Sequence, residues 1–549
     1  MPDLVLAVDY GGYVSVVKLL VFLIMFFLWL PLIGWVYRDA IEVETKDAMW
    51  TGIVLGVGAV AALAWMMIPI FLVGMLAYMI LVGGVALAYV KHRNTRVMDF
   101  DRVLTIDHIK GLFAGKDKNL DDLKEFTFTT ANKNEVPVPE PRTPDFFGYK
   151  LAYELLSDAI WRRADTIAFA PAPEEYQVTY SVDGAPVKQP NMPRDQAGYL
   201  IQFLKNLADL DVKEKRKPQR GSFRCHTGGK HYEWELVTAG STAGEQVRIK
   251  NTTQEDILKL SEIGLTKDQY EQLSGFAQAE QGLFIVTGPK KSGVTSTLYA
   301  LIRNHDAFIN SINTLERQPS GKLPNVTQTT YSTQDSGQTY GQKLQYLVRM
   351  GPDIVGVADC EDAETAKVAC AAAKDGKIVY VAFEATSVTQ ALAKWIKLVG
   401  DKTLIAETLL GISNQRMVRV LCPECRQAYA PNPELLKKFN LSAEKTKVLY
   451  REGKVQYDKH GKPITCENCQ GTGFFGRTGV FEIVVMNDQL RKMFKQTKSL
   501  PEIATQFRRA KMLYLQEQAL RKAIGGVTSI NEMIRALSTA KGKKVKAKR

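Results

Sequence analysis

Residues 282–300 read GLFIVTGPKKSGVTSTLYA, and this stretch decides the fold of the largest part of the chain. Residues 282–287 form an apolar run typical of a buried strand, residues 288–293 form a turn bracketed by glycines, and a helix is predicted from Val294. A strand, a tight loop and a helix N-terminus direct backbone N–H groups and the helix dipole at one anion. The stretch therefore predicts a phosphate-binding loop.

The pattern of such loops, G-x-x-x-x-G-K-[ST], is only partly met. Gly288, Gly293 and Thr295 are in register, whereas Val294 occupies the position of the lysine that normally meets the phosphates. The candidate nucleotide-binding residues are, in order, Gly288, Pro289, Lys290, Lys291, Ser292, Gly293, Val294, Thr295 and Ser296. The frame of the site is present without its central charge, so we expect weak or absent binding of ATP and Mg²⁺.

The same stretch resembles TGPTGSGKTTTLYA of the type II secretion and type IV pilus assembly ATPases. The similarity runs in order from about residue 145 to about residue 537. It implies an α/β chain in which an α+β N-terminal ATPase-associated domain precedes a RecA-like P-loop domain with a tetracysteine zinc module. It also implies a homo- or hetero-hexamer with secretion or pilus platform proteins as partners, and an active ATPase paralogue as a further partner.

Length and charge narrow the class of protein. The chain has 549 residues, too many for one core, so three or more units are expected. The formal net charge of +13 suits nucleic acid, anionic lipid or an anionic nucleotide as a ligand. No nucleic-acid recognition motif supports the first of these, so we expect membrane lipids and not nucleic acid among the partners.

Two apolar runs near the N-terminus predict membrane-spanning helices. Residues 14–37 are apolar apart from Lys18 and Pro31, and residues 50–90 are a run of 41 residues without a charge. As one helix the second run would be ~60 Å long, about twice the hydrocarbon thickness, so we split it near Ile68-Pro69. Two or three spans are thus predicted, and three would place the N-terminus outside.

The basic residues that follow at 91–96 are expected to be cytoplasmic. Together with the resemblance, this predicts a multi-pass protein of the bacterial inner membrane with cytoplasmic C-terminal domains. The predicted organisation is a tail (1–12), a transmembrane region (13–92), a linker that is partly folded at most (93–144), the ATPase-associated domain (145–255), the RecA-like domain (256–540) with the zinc module at about 420–475, and a basic tail (541–549).

Three local patterns support the two cytoplasmic domains. Residues 177–184 alternate and end in an Asp-Gly turn, and residues 199–207 have helical spacing. From about residue 258 strands alternate with helices, which favours a largely parallel sheet, and residues 354–357 and 378–381 are suited to its centre.

The resemblance also says where an ATPase of this family should carry its catalytic groups. Glu316 and Arg349 match family positions, and Asp359 stands where the catalytic glutamate should be. The family has aspartate where this chain has Arg317, histidines where it has Lys377 and Glu384, and an arginine at what we align with Glu235. These replacements concentrate on the nucleotide site and predict that hydrolysis is negligible. Lys290 or Lys291 could act as a substitute phosphate clamp, and the simpler interpretation is that both are exposed loop lysines.

The cysteines predict a metal site. Of seven cysteines, Cys422, Cys425, Cys466 and Cys469 form two C-x₂-C pairs forty residues apart. Four thiolates at this spacing suit a closed tetrahedral Zn²⁺ site, the alternative being four unmetallated core thiols.

Two functions of different class remain open from the sequence. One is a structural or regulatory member of a secretion or pilus machine with little or no ATP hydrolysis. The other is an active ATPase that powers pilus or pseudopilus assembly with rearranged catalytic groups.

Overall fold

The structure, a computed structural model, describes residues 16–43, 45–97, 102–104, 126–140, 143–253, 257–332, 337–444, 446–453, 456–457, 463–496, 499–510 and 512–538. The chain divides into two compact units, one formed by Met1–Lys124 and Glu140–Thr143 and the other by Glu125–Pro139 and Pro144–Arg549. The predicted tails at 1–12 and 541–549 lie outside the described residues.

The described part of the first unit has three helices, α1 (Val16–Glu42), α2 (Asp47–Met67) and α3 (Phe71–Asn94). All three are long and apolar enough to cross a membrane. The sequence left two or three spans open, and the described chain has three such helices. The break between α2 and α3 falls at the predicted Ile68-Pro69, because proline favours an extended residue before it.

One buried ion pair fixes the relative direction of α1 and α3. The Arg93 Nε lies 2.8 Å from a carboxylate oxygen of Asp39, and the Tyr89 hydroxyl donates to the same carboxylate at 2.7 Å. Asp39 is near the end of α1 and Arg93 is near the end of α3, so both helices end at the same level. The two helices are therefore parallel, with α2 running in the opposite direction between them.

The second unit begins with a nine-stranded antiparallel sheet, in the order β2-β1-β7-β8-β9-β3-β4-β5 with β6 beside β4. Its elements are β1 (Thr127–Thr129), β2 (Glu135–Val136), α4 (Pro144–Trp161), β3 (Ala164–Pro171), β4 (Glu175–Val182), β5 (Ala185–Lys188), β6 (Met192–Pro193), α5 (Arg194–Leu207), β7 (Gln219–Thr227), β8 (Lys230–Ser241) and β9 (Gly244–Asn251). The predicted strand and helix are confirmed as β4 and α5. The turn after β4 has φ of 50° at Asp183 and 74° at Gly184, as a two-residue hairpin of this kind requires.

Strands β1 and β2 lie in the segment that the sequence assigns to a partly folded linker. β1 pairs with β7, and Phe126 and Phe128 are buried. The Phe128 ring packs edge-on against Tyr149 of α4 and Phe203 of α5, with ring centroids 5.0 and 5.5 Å apart. The polar and proline-rich composition around this segment gave no sign of two short strands. The domain that contains the antiparallel sheet therefore begins closer to the N-terminus than the sequence predicts.

The second sheet has seven strands in the order β12-β11-β13-β14-β10-β15-β20. It is parallel except for β20, which runs antiparallel to β15. The strands are β10 (Gly282–Gly288), β11 (Ile312–Glu316), β12 (Thr327–Thr330), β13 (Ile354–Val357), β14 (Ile378–Glu384), β15 (Leu409–Leu421) and β20 (Phe474–Val485). Both predicted central strands are confirmed, as β13 and β14.

Helices flank this sheet, and an insertion separates β15 from β20. The helices are α6 (Lys267–Ser274), α7 (Val294–Arg303), α8 (Tyr340–Arg349), α9 (Ala363–Lys374), α10 (Val388–Val399) and α11 (Lys402–Thr408). The insertion contains β16 (Gln427–Tyr429), α12 (Pro433–Lys438), β17 (Leu449–Arg451), β18 (Gln456–Tyr457) and β19 (Pro463–Ile464). The chain continues through α13 (Asp488–Gln496), α14 (Leu500–Arg509), α15 (Leu515–Ile524) and α16 (Ile530–Ser538).

A comparison of two soluble fragments tests the earlier domain start. A fragment that begins at residue 145 lacks β1 and uncovers the aromatic core that Phe128 fills, so it should unfold at lower urea concentration than one that begins at residue 125. Removing a buried phenylalanine side chain costs roughly 3–5 kcal/mol. As a control, Phe128→Ala in the longer fragment should lose a similar free energy of unfolding, and equal midpoints for the two fragments would contradict the assignment.

Candidate functional site

The predicted phosphate loop is formed by the end of β10 and the start of α7. Gly293 has φ of 81° at the N-cap of α7, and a Cβ on Gly288 would lie 2.2 Å from the Ser292 Oγ. Gly293 is therefore favoured by its left-handed backbone conformation, and Gly288 by the lack of space for a side chain. Lys291 has φ of 64°, a conformation that a side chain with a Cβ adopts at a cost. The loop keeps its shape although a lysine occupies a position that favours glycine.

The loop opens into a cavity of about 1130 Å³ that also reaches the antiparallel sheet. All nine predicted nucleotide-binding residues, from Gly288 to Ser296, line it. The cationic side chains in its wall are Lys250, Lys290, Lys291, Arg416, Arg419, Arg477 and Arg535. The carboxylates in its wall are Asp165, Asp183, Asp359, Glu361 and Glu384.

Val294 joins the apolar core. Its side chain packs against the cluster that contains Phe284 and Leu298. The hydrophobic side chain thus gains packing at a position where the loop pattern expects an ammonium group. Thr295, the expected magnesium ligand, follows it in the cavity wall.

Two of the replaced positions face the cavity at the ends of their strands. Glu384 ends β14, and the Lys290 Nζ lies 3.8 Å from its carboxylate. Asp359 follows β13, and its carboxylate accepts a hydrogen bond from the backbone N–H of Arg317 at 3.2 Å. Lys290 thus contacts Glu384, one of these two replaced residues. Lys291 is exposed and lies near Asp165.

Glu316 ends β11 at the same edge of the sheet, but its carboxylate is buried. It accepts hydrogen bonds from Thr314 Oγ1 at 2.7 Å, from Gln328 Nε2 at 3.2 Å and from the Tyr299 hydroxyl. Burial and this carboxylate raise the pKa of the Tyr299 hydroxyl. Within the described chain Glu316 does not line the cavity, so its contacts are those of a buried structural group.

Two other predicted positions lie at the opposite edge of the sheet. Lys377 immediately precedes β14, and its Nζ donates to the Pro352 carbonyl at 2.9 Å. Arg349 ends α8 just before β13 begins, and its side chain is exposed. Since β14 has seven residues, its two ends are about 20 Å apart. The parallel arrangement therefore separates both positions from the phosphate loop.

Arg317 does not line the cavity, although the sequence analysis groups it with the replacements at the nucleotide site. Its guanidinium lies over the rings of Tyr331 and Tyr340, 5.5 and 5.4 Å from their centroids. Glu235 is likewise engaged elsewhere, as the partner of Arg220. Arg317 thus interacts with two aromatic rings and Glu235 with an arginine, and neither side chain lines the cavity.

Sequence reasoning missed most of the cationic wall. Glu532 of α16 is fully buried between two arginines: its carboxylate lies 2.8 Å from Arg419 Nη2 and 2.6 Å from Arg535 Nη2. Arg477 lies 3.8 Å from Asp165 of the antiparallel sheet. Of these arginines, Arg477 is the one in a recognisable sequence motif, GRTG at residues 476–479, which follows the second cysteine pair.

Arg416 completes this wall from β15. It is buried and donates to the Thr386 and Gln415 carbonyls, each at 2.8 Å. Burial lowers the pKa of its guanidinium, and the nearby Glu482 opposes that shift. Most of the cations around the cavity are therefore already held by carboxylates or carbonyls of the protein itself.

The four predicted metal ligands converge at the base of the insertion. The thiol sulfurs of Cys422, Cys425, Cys466 and Cys469 lie within 4.8 Å of one another, and two of their separations are 3.8 and 3.5 Å. A tetrahedron with Zn–S bonds of ~2.3 Å has edges of about 3.8 Å. The donor set and spacing thus fit one four-thiolate metal ion.

Two N–H groups contact the sulfurs and would orient them toward an ion. The Gly473 backbone N–H lies 3.3 Å from the Cys469 sulfur, and the Asn468 amide lies 3.4 Å from the Cys422 sulfur. Hydrogen bonds of this kind support a thiolate ligand from outside the coordination shell. The remaining cysteines, Cys225, Cys360 and Cys370, are buried apart from this cluster.

Residues 146–535 match the model of the family described as type II/IV secretion system protein. The chain belongs to this family. The family resemblance seen in the sequence is thereby confirmed, and the match covers most of the antiparallel sheet and the whole of the parallel sheet that carries the phosphate loop.

Individual relatives agree with the family match. The type IV pilus assembly ATPase PilB of Thermus thermophilus is 28% identical over 423 residues, which are 77% of this chain and 46% of that protein. The type II secretion system protein E of Dickeya dadantii is 29% identical over 387 residues, covering 70% of this chain and 75% of that protein. The chain described here therefore spans about half the length of the first of these relatives.

Solved structures show the same fold. The ATPase DotB of Legionella pneumophila has a TM-score of 0.50 and 16% identity, covering 72% of this chain and 96% of that one. DotB of Yersinia pseudotuberculosis has a TM-score of 0.51 and 14% identity, covering 74% and 96%.

Elemental analysis of a fragment that begins at residue 125 tests the cysteine cluster. We expect about one zinc ion per chain. Cys425→Ser should lower both the metal content and the free energy of unfolding, because metal binding contributes to folding. Cys225→Ser is the matched control, since it changes a buried thiol outside the cluster and should leave the zinc content unchanged. A folded wild-type fragment without metal would contradict the assignment.

Proposed function

We propose that this secretion family member is an inner-membrane-anchored structural or regulatory component of a secretion or pilus machine with little or no ATP hydrolysis. The observation that carries the proposal is the charge around the phosphate loop. Val294 packs into the core at the lysine position, and the Glu384 carboxylate stands beside the loop with Lys290 as its partner.

The cavity can still contact an anion through the backbone. The first N–H groups of α7 have no partner within the helix, and the loop geometry that directs them is preserved. A charge-assisted hydrogen bond contributes ~1.5–3 kcal/mol, so loss of the lysine weakens phosphate binding by roughly tenfold to a hundredfold. Glu384 opposes an approaching phosphate by its charge. Weak ATP and Mg²⁺ binding through Thr295 is consistent with this arrangement.

Catalysis is affected more strongly than binding. Asp359 is one methylene shorter than the catalytic glutamate of the family, and its carboxylate is already engaged by the Arg317 N–H. Each lost transition-state donor costs ~10²–10³ in rate. Val294, Asp359 and Glu384 are the replacements that can impair catalysis at the loop, because Lys377 lies at the other edge of the sheet.

The alternative is an active ATPase that powers pilus or pseudopilus assembly. One observation favours it: Lys291 lines the cavity from a strained left-handed position and could supply the missing charge to a phosphate. Its side chain is exposed, however, and lies near Asp165. This supports the exposed-lysine interpretation over a preorganised clamp.

The three N-terminal helices support a multi-pass anchor. The Asp39–Arg93 pair makes α1 and α3 parallel, which suits three spans with the N-terminus outside and Lys91 at the cytoplasmic face. We include in the proposal a homo- or hetero-hexamer, platform proteins as partners, and an active ATPase paralogue that would supply the hydrolysis.

Steady-state phosphate release tests the proposed inactivity. The wild-type fragment from residue 125, concentrated enough to assemble, should release no phosphate above background. Val294→Lys should bind ATP about tenfold more tightly or better, because it restores the charge-assisted contact, but it should remain inactive. The matched control is Val294→Met, which keeps the position apolar. Wild-type turnover of about 1 s⁻¹, at the lower end of ordinary enzymes, would favour the active motor.

Accessibility of the two ends tests the anchor. In intact spheroplasts, an N-terminal tag should be cleaved by added protease and a C-terminal tag should be protected, because three spans place the two ends on opposite sides. The protein should also stay in the membrane after a carbonate wash. Release by salt alone, or protection of both tags, would contradict the proposed topology.

A further inference from the structure

The loop that carries the second cysteine pair also contacts the domain of the antiparallel sheet. This loop, residues 466–477, is called the metal loop below; it contains two of the four candidate ligands and leads into β20. The contacting residues of the other domain lie in two turns, Arg163 between α4 and β3 and Asp183 between β4 and β5. The same loop therefore serves the metal site and a contact between domains.

Arg163 reaches into the metal loop. Its guanidinium lies over the Phe475 ring, 4.0 Å from the centroid, and its Nη1 donates to the Asn468 carbonyl at 3.3 Å. A guanidinium attracts an aromatic face at this distance. Arg163 has φ of 57°, a backbone conformation that favours glycine, so the turn holds this arginine at an energetic cost. Such strain at a residue that crosses a domain boundary indicates a role for its side chain.

Asp183 and Asp165 hold the residues that follow. The buried carboxylate of Asp183 accepts a hydrogen bond from the Gly476 backbone N–H at 3.2 Å and lies 3.6 Å from Arg163 Nη2. One residue further on, Arg477 lies 3.8 Å from Asp165 of β3. Three consecutive residues of the metal loop are thus held by charged side chains of the other domain.

Asn468 connects these contacts to the cysteine sulfurs. Its carbonyl accepts from Arg163, while its side-chain amide lies 3.4 Å from the Cys422 sulfur. Further along the loop, the Gly473 backbone N–H lies 3.3 Å from the Cys469 sulfur. A metal ion that draws the four sulfurs together would fix this part of the chain, because metal binding and folding of the ligand-bearing segments are linked. The surface that Arg163 contacts therefore depends on the metal site.

We propose that metal binding at the four cysteines and docking of the antiparallel-sheet domain on the metal loop are thermodynamically coupled. Loss of the metal would loosen the loop and release the domain. Since Asp165, Asp183 and Arg477 line the cavity at the phosphate loop, release would open one of its walls. Coupling of this kind is reciprocal, so docking must strengthen metal binding by the same factor. The proposal rests on the metal binding inferred for the four cysteines.

Zinc affinity of the full chain in detergent, measured by competition with a coloured chelator, tests the coupling from the side of the metal. Arg163→Gln should lower the zinc affinity about tenfold, within the usual range of coupling between two sites, although residue 163 lies outside the cysteine cluster. Arg162→Gln is the matched control. Arg162 pairs with Asp158 of the preceding helix at 2.8 Å, within its own domain, so its replacement should leave the zinc affinity unchanged.

Distances between spin labels in the same preparation test the coupling from the side of the domains. Labels on non-natural amino acids at two exposed positions, Lys188 and Lys367, spare the cysteines and report on the two domains. Excess unlabelled chain restricts the reading to distances within one chain. Removal of zinc by the chelator should add a population of longer distances, and Arg163→Gln should add it with zinc still bound. A label pair within the antiparallel-sheet domain, at Lys188 and Lys230, should be unchanged, which separates release from unfolding.

Four results would each overturn the coupling. They are unchanged zinc affinity in Arg163→Gln, an equal loss in Arg162→Gln, distances between the domains that do not respond to zinc removal, and broadening of the control label pair to the same extent. A wild-type chain that binds no zinc would overturn it as well, together with the metal assignment. The function proposed above would stand in each case, because it depends on the phosphate loop and not on the cysteine cluster.

Discussion

The parallel pairing of β10 with β14 is the constraint on which the candidate site depends. It sets Gly288 opposite Glu384 and Gly282 opposite Ile378. Because parallel strands end at one edge, a residue that follows a strand joins the phosphate loop and a residue that precedes one is carried to the far edge. Glu384 therefore meets the loop, whereas Lys377 does not. The sheet decides which replacements can act on a bound nucleotide.

Around this edge the protein satisfies its own charges. Arg419 and Arg535 share the buried carboxylate of Glu532, and the Arg419 guanidinium also lies 3.9 Å from the centroid of the Phe474 ring. Phe474 begins β20, directly after the cysteine cluster, so Arg419 connects this cluster, α16 and the cavity wall. A cavity whose cations are already paired has less to gain from a nucleotide, and its arginines serve the assembly of the fold.

Much of the fold could be predicted from sequence because its signals are local. The loop glycines, the apolar strands, each C-x₂-C pair and the break at Ile68-Pro69 need only neighbouring residues. The features that the sequence did not predict depend on contacts between residues far apart in the chain. The burial of Phe128 depends on Tyr149 and Phe203, and the placement of Lys377 depends on strand direction. Nothing local shows that Arg317 turns to two tyrosines or that Tyr299 encloses the Glu316 carboxylate.

Calorimetric titration with ATP and Mg²⁺ tests the central claim, that the protein's own carboxylate opposes a nucleotide at the loop. The fragment from residue 125 should bind weakly, and Glu384→Gln should bind about fivefold more tightly, since one charge near a phosphate is worth ~1 kcal/mol at an exposed site. Glu361→Gln, another carboxylate in the cavity wall, should have a smaller effect. Tight wild-type binding that Glu384→Gln leaves unchanged or weakens would contradict the account.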